Sequence, residues 1–598
     1  MHVVVAVVVS LTSFFVATTT HTADAQQQNQ TSSENGGGGG VVMGNIIHDA
    51  EYYIVEAQNR QKWKEQDERV AEKLDDSTAG RRPNIIHFMW DDQPFGAVGI
   101  PAMQDYRGYS TPNLNKQAEE GVIFTRMYTE PSCTPTRSAA LTGQLARRTG
   151  VYEVGFGVEY VGFPEDTTTI GDVMRCGNYT TGFFGKAHVG DMSSSYLHKR
   201  GFDEAFVSVY NQVSSVWNPI EERQNKVIGL SPSVLAKENY TMDKTFVPGW
   251  DDRWVFFYEG NVTDGKTREW CGTSRACYDA FDEEAKNRAF KFIRRAVEED
   301  KPFYVAWWPL WMDLGSNSPN KTFESVQRGM VGEGYENFLD PAFGELMDLL
   351  EELNVKNNTL VVSMSDNGPM THNPPPGMGM GEGVFRGGKG DFLEGGVRVS
   401  AQASWPDVIP PGSRAHDMIH VTDLYTTFAK LGGGSALDCI PTDRIIDGID
   451  QTALLVEGDS NGRRDHVFIY VGPELGASVK NQYKMHWRSS DPLQAASGIT
   501  SVFELYNDPR EVSPMVVEGL HFKEPFKRMR ARHDLWIEKY PHAKTNKGPA
   551  FTDIENAREE TRELTSNAPV DLGDLPFDVN AFMTYELPFD ASGARDGM

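Results

Sequence analysis

The sequence predicts an α/β fold: a large doubly wound, mostly parallel sheet sandwiched by helices, followed by a smaller C-terminal α+β subdomain. Three observations carry this. Between about residues 82 and 434, short apolar runs alternate with amphipathic helical stretches, the pattern of parallel strands joined by crossover helices. Two of the apolar runs stop abruptly at Asp91-Asp92 and at Asp366-Asn367, where strands of such sheets meet their ligands. Past about Gly434 the alternation gives way to short strands and one helix. A chain of 598 residues also exceeds one small core.

In chain order, residues 1–25 read as a signal peptide. Val3 to Val16 is apolar but short for a bilayer span, and Ala23-Asp24-Ala25 offers a cleavage site, although no Lys or Arg precedes the run. Residues 26–81 hold a Gln-, Ser- and Gly-rich linker and then a charged peripheral helix from Ile46 to Asp76. Asn84 to Trp90, after a proline, is a buried strand. "TTGFFGKAHVG" is a strand entering a loop, and "FDEEAKNRAFKFIRRAVEED" aligns Phe281, Ala285, Ala289, Phe292 and Ala296 on one helical face. "KPFYVAWWPLW" is a strand, "PAFGELMDLLEELNV" a helix, and "NTLVVSMSDNG" a strand ending in an acid. In residues 435–545, "RDHVFIYVG", "NQYKMHWRS" and "SVFELYND" are strands, with a helix near Phe526 to Glu538. Residues 546–598 form an acidic tail that wraps the surface or is partly disordered. No repeat, later membrane-length run, retention signal or lipid-anchor tail is present.

The formal net charge of −27 argues against nucleic acid and anionic lipid as partners. An anionic substrate stays open, because a cationic pocket can sit in an acidic protein. Six N-x-[ST] sequons, at Asn29, Asn178, Asn239, Asn261, Asn320 and Asn357, favour a secretory route. Of five cysteines, Cys271 and Cys277 are close enough to close a small loop, and Cys176 with Cys439 would make a second bridge. Connectivity itself is not fixed by sequence. Cys133 is then left over, as a buried thiol or a nucleophile. No CxxC pair supports a zinc site.

Asp91, Asp92, Asp366 and Asn367 supply hard oxygen donors suited to Ca²⁺ or Mg²⁺ if the two strand ends meet; each pair alone reads more readily as a helix N-cap. "GKAHVG" sets Lys186 and His188 two apart, a cation and an acid–base group fit for an oxyanion, or an ordinary surface pair. "FRGGKGDFLEGGVRVS" is a Gly-rich loop carrying Arg386, Lys389 and Arg398, or a solvated turn.

Together these segments resemble the sulfatase family. "CTPTRSAALTG" is similar to that family's C-x-[PA]-[ST]-R signature. The "DD" after the first strand, "GKAHVG", "SDNG" and "FRGGKGDFLEGGVRV" stand in the family's order and spacing. "RGFDEAF", "HVTDLYTTFAKLG" and "FELYNDPREV" match further landmarks, so the likeness runs from about Arg82 to Glu538. It implies an alkaline-phosphatase-like catalytic domain over residues 82–434 and a sulfuric ester hydrolase. Cys133 would be converted to formylglycine by a formylglycine-generating enzyme. One hydroxyl of its hydrate would attack sulfur, and the second would then expel sulfate. Asp91, Asp92, Asp366 and Asn367 would bind one Ca²⁺. Arg137 and Lys186 would stabilise the hydrate, with His188 as base, and Lys389 would bind sulfate and assist the leaving oxygen.

Two departures stand out. Thr136 replaces a commoner Ser and keeps the hydroxyl. Asp313 falls where the family has a sulfate-contacting histidine; ionised it would repel sulfate, whereas neutral it would still donate a proton, and the alternative is that the alignment slips here and another residue serves. Trp307, Trp308 and Trp311 are core residues or line a leaving-group pocket. The expected substrate is a sulfated carbohydrate or an aryl sulfate, and the expected compartment extracellular or lysosomal, without stable membrane insertion. The alternatives are a phosphonate or phosphate ester hydrolase with the same machinery, and a silent sulfatase-like binding protein.

Overall fold

The computed structural model describes residues 46–155, 160–211, 255–272, 275–310, 334–370, 383–488, 501–515 and 519–566. Strands in chain order are β1 (Asn84–Trp90), β2 (Val122–Phe124), β3 (Met127–Tyr128), β4 (Val161–Gly162), β5 (Thr180–Lys186) and β6 (Glu204–Ser208). They continue as β7 (Phe257–Asn261), β8 (Thr267–Glu269), β9 (Phe303–Trp308), β10 (Thr359–Ser365), β11 (Ala401–Ser404) and β12 (Ser413–Ala415). A ten-stranded sheet has the order β12-β2-β11-β10-β1-β9-β5-β6-β7-β8. Its centre, β10-β1-β9-β5-β6, is parallel; antiparallel pairs flank it on both sides. β1, β9 and β10 are buried along their whole length, which is why they read as unbroken apolar runs.

Consecutive residues of β1 show how both faces are covered. His87 meets Phe428 across 6.0 Å between ring centres, and Phe88 meets Phe343 across 5.2 Å. Successive strand side chains point to opposite faces, so one helix lies on each side. Of the helices named here, α1 spans Ala50–Thr78, α2 Cys133–Thr142, α3 Arg275–Glu298, α4 Asp340–Glu352 and α5 Val421–Gly432. Phe343 belongs to α4 and Phe428 to α5. The apolar stripe read on α3 is its core face: Phe281, Ala285, Ala289, Phe292 and Ala296 are all buried.

The smaller unit is an antiparallel sheet of β14 (His466–Val471), β15 (Glu474–Lys480), β16 (Tyr483–His486) and β17 (Ser501–Glu504), preceded by β13 (Ile419–His420), which pairs with β3. Helix α6 (Gly519–Lys539) packs Phe526 and Met529 against Met485 and Val502. β15 was not foreseen, because "ELGASVK" lacks the β-branched alternation that marks a strand. Ile446, Leu454 and Val456, ahead of β14, join the main core. Within residues 546–566, β18 (Asn546–Lys547) pairs with β4, and Ala550 and Phe551 are buried.

Helix α1 is exposed or half-buried over most of its length, as a peripheral charged helix would be, yet the acids at its head are buried and paired. Asp49 pairs with Arg148 and His533, both at 2.7 Å. Glu51 reaches Lys480 at 2.7 Å and Arg532 at 2.6 Å, and Asp67 reaches Arg463 at 2.7 Å. Disulfides join Cys176 to Cys439 and Cys271 to Cys277, and Cys133 is a free, buried cysteine.

Phe88 is fully buried between Trp90, Trp307 and Phe343. Phe88→Ala is expected to lower stability by about 3–5 kcal/mol in urea denaturation; a loss below about 1 kcal/mol would show that this face of β1 is not tightly packed.

Candidate active site

The site is built on the pairing of β1 with β10, which sets Trp90 beside Ser365. The next residues of both chains therefore leave the same sheet edge, and Asp91-Asp92 meets Asp366-Asn367. The Asp92 N–H donates to Asp366 Oδ1 at 3.0 Å. Carboxylate oxygens of Asp91, Asp92 and Asp366 lie within 4.8 Å of one another, and all three residues are buried. The Asn367 amide donates to Asp92 Oδ1 at 2.8 Å, which orients its own oxygen elsewhere. Two buried oxygens, Asp91 Oδ2 and Asn367 Oδ1, have no hydrogen-bond partner. Such an orphan costs about 1–3 kcal/mol, and a hard cation would satisfy both. The four side chains thus fit an oxygen-ligated divalent metal.

Three cations offset the acids. Cys133 opens α2, and Arg137 lies one turn further on the same face. Arg137 NH2 donates to Asp91 Oδ1 at 2.9 Å and to Asp366 Oδ2 at 3.0 Å, while NH1 caps the Lys186 carbonyl at 2.7 Å. Its guanidinium sits 5.3 Å from the Trp308 ring centre. Lys186, the last residue of β5, donates to Asp91 Oδ1 at 2.6 Å. Lys389 donates to both Asp92 oxygens at 2.8 and 2.9 Å. Burial would raise the Asp91 pKa, but Lys186 and Arg137 outweigh it and hold the carboxyl below its usual range. Asp366 is pushed well above that range by burial and by the charge of Asp91.

His188 follows Lys186 by two residues and holds a left-handed backbone, φ 52°. Its Nε2 lies 2.7 Å from the Gly155 carbonyl, which can only accept, so Nε2 carries the hydrogen. Nδ1 then presents its lone pair to Cys133 Sγ at 3.2 Å. Burial, reinforced by Lys186, holds the His188 pKa well below its ordinary value. The ring is neutral and the thiol sits against a base.

The Gly-rich loop closes the site from the other side. Lys389 N–H donates to the Pro369 carbonyl at 2.8 Å, and Gly390 N–H to the Pro131 carbonyl at 2.6 Å. A Cβ on Gly368 would fall 1.7 Å from the Gly395 carbonyl oxygen, so the acid loop and the lysine loop touch backbone to backbone.

Cys133, Arg137, Lys186, His188, Lys389, Asp91, Asp92, Asp366 and Asn367 are thus brought together. Asp313 and Trp311 lie outside the described residues. Trp307 and Trp308 are core, buried against Phe88 and Phe183 respectively. Sequence reasoning missed Ser365, whose hydroxyl accepts from Gln93 N–H at 2.9 Å. It also missed Asp282 on α3, which accepts from Leu310 N–H at 2.8 Å and is pushed up to about 8 by burial, with Asp91 adding to it. The Gly155 carbonyl leaves no side-chain signal at all.

A doubly wound sheet whose strand ends gather three cations, a metal-competent oxygen set and a thiol on a neutral histidine defines a hydrolase for an anionic ester. The chain belongs to the sulfatase family: the family model described as Sulfatase matches residues 83–434. It is 28% identical over 484 residues to N-acetylgalactosamine-6-sulfatase of Canis lupus familiaris, covering 75% of this chain and 85% of that one. Similarity to arylsulfatase A of Homo sapiens is 29% over 462 residues, covering 72% and 83%. Among solved structures, the PsFucS1 sulfatase from Pseudoalteromonas sp. superposes with a TM-score of 0.68 at 28% identity, over 80% of this chain and 96% of that one. The chain is a sulfuric ester hydrolase of alkaline-phosphatase-like fold.

A neutral buried histidine makes stability pH-dependent. The unfolded chain binds a proton below about pH 6.5 that folded His188 refuses. The contribution is complete above that pH and is lost as pH falls toward the folded value. Urea stability should therefore fall as the pH drops below about 6.5, and His188→Gln should remove part of that fall. An identical pH profile in the variant would mean that His188 is not held neutral.

Proposed function

We propose that the enzyme hydrolyses O-sulfate esters of a carbohydrate through a formylglycine made from Cys133, with one Ca²⁺ held by Asp91, Asp92, Asp366 and Asn367. The observation that carries this reading is Cys133 Sγ at 3.2 Å from the lone-pair nitrogen of His188, beside the acid cluster. When formed, the aldehyde hydrate supplies one hydroxyl to attack sulfur and a second whose deprotonation expels sulfate. The ion would add positive charge against the sulfate oxygens and the nucleophile.

The chain's own side chains supply the rest. His188 Nδ1 is placed to take a hydroxyl proton at position 133, and the Gly155 carbonyl fixes the tautomer that leaves Nδ1 free to do so. Arg137 and Lys186 hold Asp91 and balance the negative charge that develops at residue 133. Lys389, at the tip of its loop and partly open to solvent, is the cation for a sulfate oxygen and for the leaving oxygen. Asp313 is assigned the leaving-group proton as a neutral acid, since an ionised carboxylate would repel the ester.

Likeness to N-acetylgalactosamine-6-sulfatase, which covers slightly more of both chains than likeness to arylsulfatase A, favours a carbohydrate over an aryl sulfate. Two disulfides support an oxidising compartment, and with the sequons they favour maturation by a formylglycine-generating enzyme in the secretory pathway, followed by secretion or lysosomal delivery. Among the described residues no helix is long and apolar enough to cross a membrane.

Mass spectrometry of the tryptic peptide Met127–Arg137 should show the mass loss of thiol-to-aldehyde conversion. Cys133→Ala should abolish turnover with the fold retained. Turnover that survives would remove the formylglycine, and a preference for phosphate or phosphonate esters in a substrate panel would move the activity within the superfamily. Chelation should lower the thermal midpoint, Ca²⁺ should restore it, and Asp366→Asn should blunt the response; indifference to Ca²⁺ would remove the ion.

A further inference from the structure

The lysine loop is fastened at its tip by the catalytic domain and at its base by the C-terminal subdomain. Gly395 N–H donates to the Arg386 carbonyl at 2.8 Å, closing residues 386–395 into a ring with Lys389 within it. The residue before that closure, Glu394, donates its N–H to Glu511 Oε2 at 2.7 Å. Glu511 comes from the segment after β17, more than a hundred residues downstream, and has a left-handed backbone with φ 54°. A non-glycine residue is uncommon there, and such geometry persists where its surroundings over-determine it.

The surroundings here are a buried polar network. Glu394, Glu511 and Lys484 have fully buried side chains, and Lys484 on β16 lies 3.0 Å from each of the two carboxylates. His486 Nε2 stands 2.7 Å from Glu511 Oε1. Tyr128 OH donates to Glu394 Oε2 at 3.0 Å, and Arg398 adds a cation at 3.3 Å. Two acids thus face two cations, and burial holds His486 below its ordinary pKa. A satisfied buried network of this kind is rigid. Next to it, Phe392 and Leu393 of the loop pack among Val467, Ile469, Ala477 and Val479 of the small sheet.

We propose that Glu511 is a positioning residue for the reaction: it holds the base of the loop so that Lys389 meets Asp92 and the bound anion. The C-terminal subdomain then completes the active site rather than only covering it. This rests on the sulfatase reading for the role of Lys389, but the geometry of the loop does not depend on the substrate.

The test is a double-mutant cycle of Glu511→Gln and Lys389→Ala. Outer partners of a site commonly cost about ten- to a hundredfold in affinity or activity when removed. Glu511→Gln alone should lower kcat/KM on the preferred ester by about tenfold, with the thermal midpoint of a folded protein. In the Lys389→Ala background the same change should cost less than about twofold, because the group it positions is gone. A full tenfold loss in both backgrounds, or none in either, overturns the proposal. If Glu511→Gln does not fold, Tyr128→Phe loosens Glu394 from the opposite side and is put through the same cycle with the same two outcomes. If the parent enzyme hydrolyses no sulfate, phosphate or phosphonate ester, the sulfatase reading itself has failed. The cycle is then read by calorimetric titration of inorganic sulfate, where non-additive weakening supports the proposal and additive weakening or no effect overturns it.

Discussion

One pairing register supports the site. With Trp90 beside Ser365, three carboxylates and an amide from positions some 274 residues apart emerge into one small volume. A slip of one residue would turn the neighbouring side chains to the opposite faces of the sheet. The register also creates the main cost, since adjacent buried acids repel one another and lose their hydration. Arg137 offsets that cost as a lysine could not. Its planar fork bridges Asp91 and Asp366 while a third contact ties it to the Lys186 backbone. Cys133 inherits its place from the same residue, because both ride on one turn of α2.

The parts of the site that sequence disclosed were those with a local signature. Asp91-Asp92 and Asp366-Asn367 were visible because an apolar run stops at charge. Cys133 and Arg137 were visible through the C-x-[PA]-[ST]-R signature that resembles the sulfatase family's. That β1 and β10 are neighbours is not written in either segment. It follows from packing across the whole sheet, and the family likeness supplied it. Backbone groups were invisible for a different reason: the Gly155 carbonyl that fixes the His188 tautomer could belong to any residue type. Likewise, nothing in Glu51 or Asp67 distinguishes a solvated helix acid from one paired with Arg532 or Arg463. The fold class was legible in its centre, where both faces are buried, and less so at β15, whose small residues carry little pattern.

Part of the backbone strain lies where the chemistry is, although most left-handed non-glycine residues of the described chain lie elsewhere. Asp92, His188 and Glu511 are non-glycine residues in the left-handed region, at φ 56°, 52° and 54°. Each sits where a strand or loop must turn sharply to aim a side chain, at the metal-competent cluster, at the thiol and under the lysine loop. Conformations of this kind cost of order 1–3 kcal/mol each. The apolar sheet and the two polar networks around it hold them in place, so the stability of the core is partly committed to geometry at the edge.

The contacts of α1 bear on how the chain comes to be folded at all. Asp49 at the head of this helix meets His533, 484 residues later, and Glu51 meets the adjacent Arg532. During synthesis, which proceeds from the N-terminus, α1 emerges long before the residues that neutralise its buried acids exist. Arg148 and then Arg463 meet it earlier, but its last partners are made only after the sheet, the lysine loop and the small subdomain. Its full closure is therefore a late event in the life of a nascent molecule, and a ribosome halted short of α6 would carry a chain whose first helix lacks His533 for Asp49 and Arg532 for Glu51.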